Sequence, residues 1–408
     1  MLVVQKYGGT SVGSVERIEA VADRVSRTVA DGNQCAIVVS AMGHTTDELV
    51  KLAHAITQTP DLREMDALLS TGEQVSAALV AMALQKRGIK AQSFTGWQAG
   101  IETEPVHGSA RMTHIDTNAM EIAVRNYVVP VITGFQGISG NSVTTLGRGG
   151  SDTTAVAVAA ALHADVCEIY TDVTGVFTTD PRVVKNAHKL AEVSYDEMLE
   201  LANLGAQVLH PRAVENAKHY GVKLVVRSSF HEEEGTDVVA EVGFEQRDVV
   251  TGIAFEREVA RIALVGVPLA SHGLATVFSE LANRGMNVDV IVQSVVHENS
   301  VDVSFTVKDE DAVRAVDILE SLHDSLKFQD LVCEKGLGKV SIVGAGMISN
   351  PGVAAQMFRV LADNDISVKM VSTSEIKVSC IVEAGLVEKA VNALHVLFLE
   401  QADVNTAE

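Results

Sequence analysis

Strands and helices alternate through about the first 230 residues of this chain, and this alternation restricts the possible folds more than any other feature of the sequence. Short β-branched runs predict buried strands, namely LVVQK, CAIVVSAM, VVPVITGFQG, VCEIYTDV and VKLVVRSS. The segments between them, such as TGEQVSAALVAMALQKRG and TTAVAVAAALHA, are rich in Ala and Leu and predict helices. Because helical crossovers join parallel strands, this order predicts an α/β fold with a mostly parallel sheet. Ligands of such sheets bind beyond the carboxyl ends of the strands.

An internal repeat follows in the C-terminal part of the chain. RIALVGVPLASHGLATVFSELANRGMNVDVIVQSV begins at Arg261, and KVSIVGAGMISNPGVAAQMFRVLADNDISVKMVST begins at Lys339. Phe278 and Phe358, on the first helix of each copy, lie 80 residues apart. Each copy reads strand, glycine loop, helix and strand, and then adds a further strand and a second helix. We therefore expect two small βαββαβ-like domains of the α+β class packed side by side, with a final strand exchanged between the copies.

The acidic, weakly patterned segment FHEEEGTDVVAEVGFEQRDVVTG separates the repeat from the first part of the chain. We place the main domain boundary within it. The predicted domains are therefore 1–245, then 246–338 with its preceding strand, and 339–408.

The composition restricts the class of partner. The 408 residues carry a net charge of −21, spread fairly evenly, which disfavours a nucleic-acid binder and still allows a small anionic ligand. The four cysteines are scattered, so neither a disulfide framework nor a zinc site is expected. We find neither a signal-peptide pattern nor an unbroken apolar run of the ~20 residues that a membrane span needs. We therefore expect a cytoplasmic protein that binds neither nucleic acid nor membranes.

The first glycine-rich loop, KYGGTS, lies between a predicted strand and a helix that begins near Ser14. Its glycines allow backbone N–H groups to approach an anion, and the helix start adds positive potential. Lys6 precedes Gly8 and Gly9, however, whereas the lysine of a P-loop follows the glycines. Two interpretations stay open at these residues: a phosphate site, or an ordinary turn with a surface lysine.

The second glycine-rich loop, GRGGSD, precedes a long apolar helix that Ser151 or Asp152 is expected to cap. Arg148 projects from this loop, and its guanidinium suits a carboxylate or a phosphate. Two such loops, each between a strand and a helix and each carrying a cation, favour an anion site over two unrelated turns.

Weaker signals come from three further stretches. YTDVTGVFTTDPR ends a strand with polar residues and an aromatic turn that suit a nucleotide. Glu73 in STGEQV falls in the first turn of a helix, where the helix dipole alone accounts for an anion. VSIVGAGMISNPG resembles a dinucleotide fingerprint, but Gly352 comes three residues too late for G-x-G-x-x-G, which disfavours a dehydrogenase.

Together these stretches resemble the aspartate kinases of the amino-acid kinase superfamily, with a texture closest to lysine-sensitive enzymes of Gram-positive bacilli. The motifs QKYGGTS, VVSAMG, STGEQV, TTLGRGGSDTTAVA, GVFTTDPR, LHPRAVE and VSTSEIKVS occur in the family's order. The resemblance implies the three-layer amino-acid kinase fold followed by two ferredoxin-like ACT domains. It also implies phosphorylation of the β-carboxylate of L-aspartate by ATP, with Mg²⁺, as the first step towards lysine, threonine, methionine and diaminopimelate.

The resemblance also implies roles for individual residues. Lys6 and Asp152 are catalytic, with Asp152 orienting Lys6. The substrate-binding residues are Thr45, Glu73, Arg148 and Ser151, with Glu73 on the ammonium and Arg148 on the α-carboxylate of aspartate. The ATP-binding residues are Lys6, Gly8, Gly9, Ser40, Thr171, Asp172, Phe177, Asp180 and Arg182. No protein residue is assigned to a metal. Gln207 stands where many relatives have a lysine that helps to hold the nucleotide; a glutamine there can form hydrogen bonds but carries no charge.

The ACT pair implies feedback inhibition by an amino acid, either lysine alone or lysine with threonine. The expected effector contacts are Ser271, Gly273, Leu274, Asn287, Asp289, Gln293, Ser374 and Glu375. The resemblance further implies a homodimer or larger assembly through the ACT domains, with or without a shorter ACT-only chain. Two alternatives remain: another member of the amino-acid kinase superfamily, or a non-catalytic amino-acid sensor.

Overall fold

The computed structural model describes residues 1–205, 208–242, 249–269, 273–294 and 299–400, which form two compact units. The first unit comprises Met1–Val176, Lys189–Asn203 and the described residues of 208–242. The second comprises Phe177–His188, residues 204–205 and the described residues of 249–400. The predicted boundary at 245/246 lies outside the described residues, and the one at 338/339 falls inside a single strand, so both domain boundaries stay predictions.

Two sheets and the helices around them build the first unit. Its strands are β1 (Leu2–Tyr7), β2 (Gln34–Val39), β3 (Ala91–Phe94), β4 (Ile101–Thr103), β5 (Met112–Ile115), β6 (Val129–Thr133), β7 (Gln136–Ser139), β8 (Ser142–Thr145), β9 (Val166–Thr171), β10 (Glu192–Ser194), β11 (Leu224–Ser228) and β12 (Thr236–Val239). Its helices are α1 (Val15–Ala30), α2 (Thr45–Ile56), α3 (Leu62–Leu69), α4 (Thr71–Lys86), α5 (Asn118–Arg125), α6 (Gly150–Ala161), α7 (Tyr195–Asn203) and α8 (Pro211–Tyr220).

The large sheet has the strand order β10-β12-β11-β9-β1-β2-β6-β3. Every neighbouring pair in it is parallel except β11 with β12, which confirms the mostly parallel sheet. The strand order runs outward from β1 in both directions, through β2 on one side and β9 on the other. The carboxyl ends of β1 and β9 therefore flank a topological switch point, where open α/β sheets bind their ligands.

Side chains of β1 alternate between two helical layers. Tyr7 packs with Ile37 and Val39 into a core that includes buried residues of α1 and α4. Lys6, the preceding residue, faces the opposite layer because successive side chains of a strand point to opposite faces. There it meets the first turn of α6, a helix that is buried over most of its length. The sheet with a helical layer on each face gives the expected three-layer arrangement.

One stretch of the described residues, Leu62–Lys86, is long and apolar enough to cross a membrane by length and composition alone. It comprises α3 and α4, and half of its apolar window is buried inside the protein. Helix α4 contacts α1, β3 and β6. Core helices pass the same composition test, so this stretch is weak evidence for a span.

The second unit contains one antiparallel sheet with the strand order β14-β15-β13-β16-β18-β17. Its strands are β13 (Gly252–Pro268), β14 (Ile291–Gln293), β15 (Ser300–Lys308), β16 (Asp330–Val343), β17 (Met370–Thr373) and β18 (Lys377–Glu383). Its helices are α9 (Gly273–Asn283), α10 (Ala312–Ser321), α11 (His323–Leu326), α12 (Val353–Asp363) and α13 (Val387–His395), and a π-helical turn follows at Val396–Glu400.

The two longest strands of this unit, β13 and β16, each serve both repeats. Residues 259–265 of β13 pair with residues 330–337 of β16 in the first repeat. Residues 252–256 of β13 pair with residues 339–343 of β16 in the second repeat. The second repeat therefore takes its fourth strand from the segment that precedes the first repeat. The strand exchange expected from the sequence is one-sided, because the first repeat keeps its own final strand.

A substitution at Ile253 tests whether the first part of β13 belongs to the second repeat, because Ile253 lies in the segment that pairs with residues 339–343 of β16. Ile253 is 2% exposed and lies in the core of the second repeat. We expect Ile253→Ala to destabilise that repeat by about 2–4 kcal/mol, because the deleted methyl groups leave a cavity. Hydrogen exchange at the amides of β18 measures the loss as faster local opening. Val313→Ala, at a position 62% exposed on α10, is the control and should change stability by less than about 0.5 kcal/mol. Unchanged protection of β18 in Ile253→Ala would contradict the assignment.

Candidate active site

A largely buried ion pair joins β1 to α6 at the carboxyl edge of the large sheet. The Nζ atom of Lys6 lies 2.6 Å from Oδ1 of Asp152, and the two side chains are 11% and 13% exposed. Both ions have lost most of their hydration, so removing either would leave the other buried without a partner. The pair thereby fixes an ammonium group beside Gly8, where an added Cβ would lie 3.4 Å from Nζ. Asp152 was expected to orient Lys6, and the structure brings the two together.

The loop after β1 packs closely against the loop after β2. The N–H of Gly43 donates to the carbonyl of Gly9 at 3.0 Å, and the N–H of Ser40 donates to the carbonyl of Tyr7 at 3.1 Å. A Cβ at Gly9 would lie 3.0 Å from the carbonyl oxygen of Ala41, so a larger residue would have to push this loop away by a few tenths of an ångström. A short 3₁₀ turn, Gly9–Val12, separates this loop from α1. The first loop and the predicted phosphate contact Ser40 therefore share one edge of the sheet.

The second glycine loop presents a free cation. Arg148 is exposed, and in the part of the chain that the structure describes it has no hydrogen bond or ion pair. Gly149 adopts a left-handed conformation with φ of 66°, and a Cβ there would lie 2.0 Å from Cγ of His210. Glycine is therefore required at this position. The loop leaves the guanidinium of Arg148 available to an anion.

The predicted cap of α6 is wrong. The helix begins at Gly150 with Gly149 at the N-cap position, and no side chain caps it. Ser151, which is 9% exposed, and Asp152 instead lie within the first turn. Asp152 is not available as a cap because its carboxylate pairs with Lys6.

Asp66 stabilises the strand that leads into the second glycine loop. No sequence motif predicted this role. The buried carboxylate of Asp66 accepts hydrogen bonds from the hydroxyl of Thr145 at 2.5 Å, from Nδ1 of His107 at 2.7 Å and from the N–H of Gly108 at 3.1 Å. Thr145 is the last residue of β8, three positions before Arg148. Asp66 thereby fixes the end of the strand from which the loop departs.

The motif LHPRAVE supports the same loop from the start of α8. Arg212 donates to the carbonyl oxygen of Leu146 at 2.7 Å and to that of Ala110 at 3.3 Å. His210 caps α8 and lies against Gly149. Burial lowers the pKa of His210, although the charge of Asp152 opposes that effect. Arg212 thus binds the backbone just before the loop, and His210 packs against the backbone of the loop itself.

Glu73 is a buried carboxylate with one oxygen unused. It is 3% exposed and lies in the first turn of α4. Its Oε1 accepts from the N–H of Ala41 at 3.1 Å, while Oε2 has no hydrogen-bond partner among the described residues. Burial raises the pKa of Glu73 to about 7. Thr45 begins the neighbouring helix α2, and its Cγ2 would lie 3.6 Å from a Cβ at Gly72. Helix α4 thus brings Glu73 to the loop after β2, and Thr45 stands at the end of that loop, where α2 begins.

The predicted nucleotide residues fall in both units. Thr171 ends β9, and its hydroxyl donates to Oδ1 of the exposed Asp172 at 3.1 Å. Phe177, Asp180 and Arg182 belong to the second unit. The guanidinium of Arg182 binds both carboxylate oxygens of Asp180 at 2.8–3.1 Å and lowers the pKa of that carboxyl group. Gln207 lies outside the described residues.

The predicted effector residues lie in the second unit, apart from Ser271, which falls outside the described residues. Gly273 and Leu274 begin α9. The others are exposed and lie near strand ends: Asn287, Asp289, Gln293, Ser374 and Glu375.

Asp289 is already paired. Lys339, which is 4% exposed, contacts its carboxylate and also lies 3.2 Å from Glu256. Burial acts to raise the pKa of Asp289, but the ammonium of Lys339 holds that pKa below its usual value. An effector that contacts Asp289 would therefore meet a carboxylate shared with Lys339.

Comparison with known proteins identifies the family. The model of the Amino acid kinase family matches residues 1–228, and that of an ACT domain matches residues 340–398. Aspartokinase from Bacillus sp. (strain MGA3) is 58% identical over 398 residues, which cover 97% of each chain. Aspartokinase 2 from Bacillus subtilis (strain 168) is 56% identical over 398 residues, with the same coverage. This chain belongs to the aspartokinase family.

Solved aspartokinase structures match nearly the full length of the chain. A crystal structure of E. coli aspartokinase III with aspartate and ADP, in the R-state, is 27% identical and has a TM-score of 0.81. It covers 97% of this chain and 99% of its own. The structure of the same protein with lysine and aspartate, in the T-state, is 28% identical, has a TM-score of 0.76 and covers 98% of this chain and 99% of its own. The expected family and fold are confirmed.

The pKa of Glu73 gives an aspartokinase of this kind a specific pH dependence. If Glu73 binds the ammonium of aspartate, it must be ionised in the free enzyme. With a pKa of about 7, its ionised fraction rises about tenfold between pH 6 and pH 8, so kcat/KM for aspartate should rise by a similar factor. The measurement is the pH profile of kcat/KM at saturating ATP.

Glu73→Gln is the matched variant, because it keeps the shape of the side chain and removes the titration. Its kcat/KM for aspartate should be low and flat across the same pH range. An unaltered pH rise in Glu73→Gln would show that another group titrates.

Proposed function

We propose that this chain transfers the γ-phosphoryl group of ATP to the β-carboxylate of L-aspartate and produces ADP and 4-phospho-L-aspartate in the cytoplasm. The observation that carries the proposal is the Lys6–Asp152 pair at the switch point of the sheet. It lies where the first glycine loop begins and the second one ends, and Arg148 and Glu73 supply a cation and a carboxylate for the two ends of an amino acid. The identity of 56–58% to aspartokinases supports the same substrate.

The chemistry requires positioning more than acid–base catalysis. The β-carboxylate of aspartate has an unperturbed pKa near 3.9 and is already ionised at neutral pH, so no general base is needed. The difficulty is to bring this anion up to the polyanionic phosphate. Phosphoryl-transfer enzymes meet that difficulty with cations and aligned dipoles placed where charge develops.

Each predicted residue has a role in this scheme. Lys6, held by Asp152, contacts the transferred phosphoryl group, and the backbone of Gly8 and Gly9 approaches the phosphates together with Ser40. Arg148 binds the α-carboxylate and Glu73 the ammonium of aspartate, while Thr45 and Ser151 complete the substrate contacts. The remaining nucleotide contacts are Thr171, Asp172, Phe177, Asp180 and Arg182.

Mg²⁺ fits this scheme as an ion that arrives with the nucleotide. Within the described residues no group of three or more His, Cys, Asp or Glu side chains is arranged to hold a metal. Mg²⁺ usually keeps several waters and binds substrate phosphates with only one or two carboxylates. When bound it neutralises charge on the phosphates, while the residues of this chain orient the two substrates.

The ACT repeats provide regulation in the proposed function. The E. coli aspartokinase III structure with lysine supports lysine as an effector, and a joint effect of threonine stays a prediction. The predicted effector contacts, the assembly through ACT domains and a shorter ACT-only chain stay predictions.

An ATP-dependent aspartyl hydroxamate assay, with and without lysine and threonine, tests the proposal. Hydroxamate from aspartate is the expected product, and a lack of it would contradict the catalytic role. Product from glutamate alone would favour another superfamily member. Effector binding without any turnover would favour a non-catalytic sensor.

Lys6 provides the residue-level prediction. We expect Lys6→Ala to lower kcat by at least about 10²–10³-fold, because it removes a cation placed at the transferring phosphoryl group. The hydroxamate assay measures turnover, and calorimetry should show intact lysine binding. Lys86→Ala is the control, since Lys86 is 71% exposed and also forms an ion pair, with Glu19 at 2.9 Å. Loss of both turnover and lysine binding in Lys6→Ala would indicate misfolding or a wrong assignment.

A further inference from the structure

The segment Phe177–His188 belongs to the kinase part by sequence and to the second unit by packing. It lies inside the 228 residues that match the amino-acid kinase family, yet its contacts place it with the ACT repeats. It carries three predicted nucleotide residues, namely Phe177, Asp180 and Arg182. Residues of the second unit that fix the conformation of this segment would therefore affect the binding of ATP.

A chain of hydrogen bonds ties the segment to the end of α13. Thr178 and His395 are both fully buried, and the hydroxyl of Thr178 lies 3.0 Å from Nε2 of His395. The same hydroxyl accepts the N–H of His188 at 3.2 Å. Its own hydrogen is therefore available to Nε2 of His395, since a hydroxyl both accepts and donates. Nδ1–H of His395 then donates to Oε1 of Glu400 at 2.9 Å.

The chain of hydrogen bonds closes on the segment where it began. Asn186, eight residues after Thr178, donates from Nδ2 to Oε2 of Glu400 at 3.1 Å. The hydrogen bonds from His395 and Asn186 lower the pKa of Glu400. His395 thus sits between two points of one segment and fixes both.

Backbone and apolar contacts hold the same segment against the second repeat. The carbonyl of Thr178 accepts the N–H of Ile253 on β13 at 2.7 Å. Val184 is 3% exposed and belongs to the core that contains buried residues of α12 and α13. His395 has no role in the proposed phosphoryl transfer. Its full burial between the hydroxyl of Thr178 and the carboxylate of Glu400 therefore requires another explanation.

We propose that His395 is a positioning residue for ATP: through Thr178 and Glu400 it holds Phe177, Asp180 and Arg182 in the conformation that binds the nucleotide. The second ACT repeat then sets the affinity for ATP directly, by supplying the support of that segment. This inference rests on the proposed function for the roles of Phe177, Asp180 and Arg182.

Two neighbouring threonines allow a matched test. Thr178→Val removes the hydroxyl that forms the hydrogen bond with His395. Thr179→Val is the control, because Thr179 is also buried, at 5% exposed, and its hydroxyl has no hydrogen-bond partner among the described residues. We expect Thr178→Val to raise KM for ATP about tenfold, as for one lost buried hydrogen bond, with KM for aspartate changed less than about twofold. Thr179→Val should leave both constants within about twofold.

Direct titration of ATP by calorimetry separates this inference from the proposed function, because it needs no turnover. A weaker Kd for ATP in Thr178→Val alone supports the inference, whether or not aspartate is the substrate. Equal Kd values for wild type and Thr178→Val would overturn it, as would equal shifts in both threonine variants or a joint rise of both KM values.

Glu400→Gln keeps the proposal testable if Thr178→Val does not fold. The side chain of Glu400 is 28% exposed, so this change perturbs no core packing. Both oxygens of Glu400 accept hydrogen bonds, from His395 and from Asn186, whereas a glutamine has one acceptor oxygen. The change therefore removes one of these bonds and leaves the other with a neutral acceptor, and it should raise the Kd for ATP about threefold. A folded Glu400→Gln with unchanged Kd would overturn the inference.

Discussion

The buried pair of Lys6 and Asp152 is the interaction on which the proposed catalytic arrangement depends. Two ions with little exposed surface are stable only together, because either one alone would keep the cost of its lost hydration. The pairing therefore requires the end of β1 and the start of α6 to lie side by side. It also places a cation at the switch point between β1 and β9, from which the sheet is built in both directions.

The two glycine loops complete that arrangement from opposite helical layers. The loop after β1 packs against the loop after β2, and Glu73 fixes the latter through the N–H of Ala41. The loop before α6 rests on Asp66 and Arg212, and it leaves Arg148 unpaired among the described residues. Rigid supports beneath an unpaired cation suit a site that binds an anionic substrate without rearranging its own backbone.

Much of this fold was predictable from the sequence because its signals are local. The runs that form β1, β2, β6 and β9 are β-branched and bounded by polar turns, and the 80-residue offset of Phe278 and Phe358 exposed the repeat. The 3₁₀ turn after Gly8 and the cap of α6 were not predictable in this way. Both depend on partners that lie far apart in the sequence, as Lys6 and Asp152 do.

The site was predictable only in part for the same reason. Asp66 lies 79 residues from Thr145, and no local pattern joins them. Thr178 and His395 are separated by 217 residues. The local sequence around Thr178 predicts a turn after a strand, but it does not show that the segment Phe177–His188 packs into the core of the second repeat. The family motifs indicated the residues that are proposed to contact substrate, whereas the residues that support them became visible only in three dimensions.

The most direct test of the central claim is a double-mutant cycle on the pair, read as the rate of a single turnover with labelled ATP and saturating aspartate. If Asp152 acts by holding Lys6, the double variant Lys6→Ala with Asp152→Asn should transfer phosphate no more slowly than Lys6→Ala alone, because residues that act as a unit are not additive. Rate losses that multiply in the double variant would contradict the account and assign the two residues independent roles.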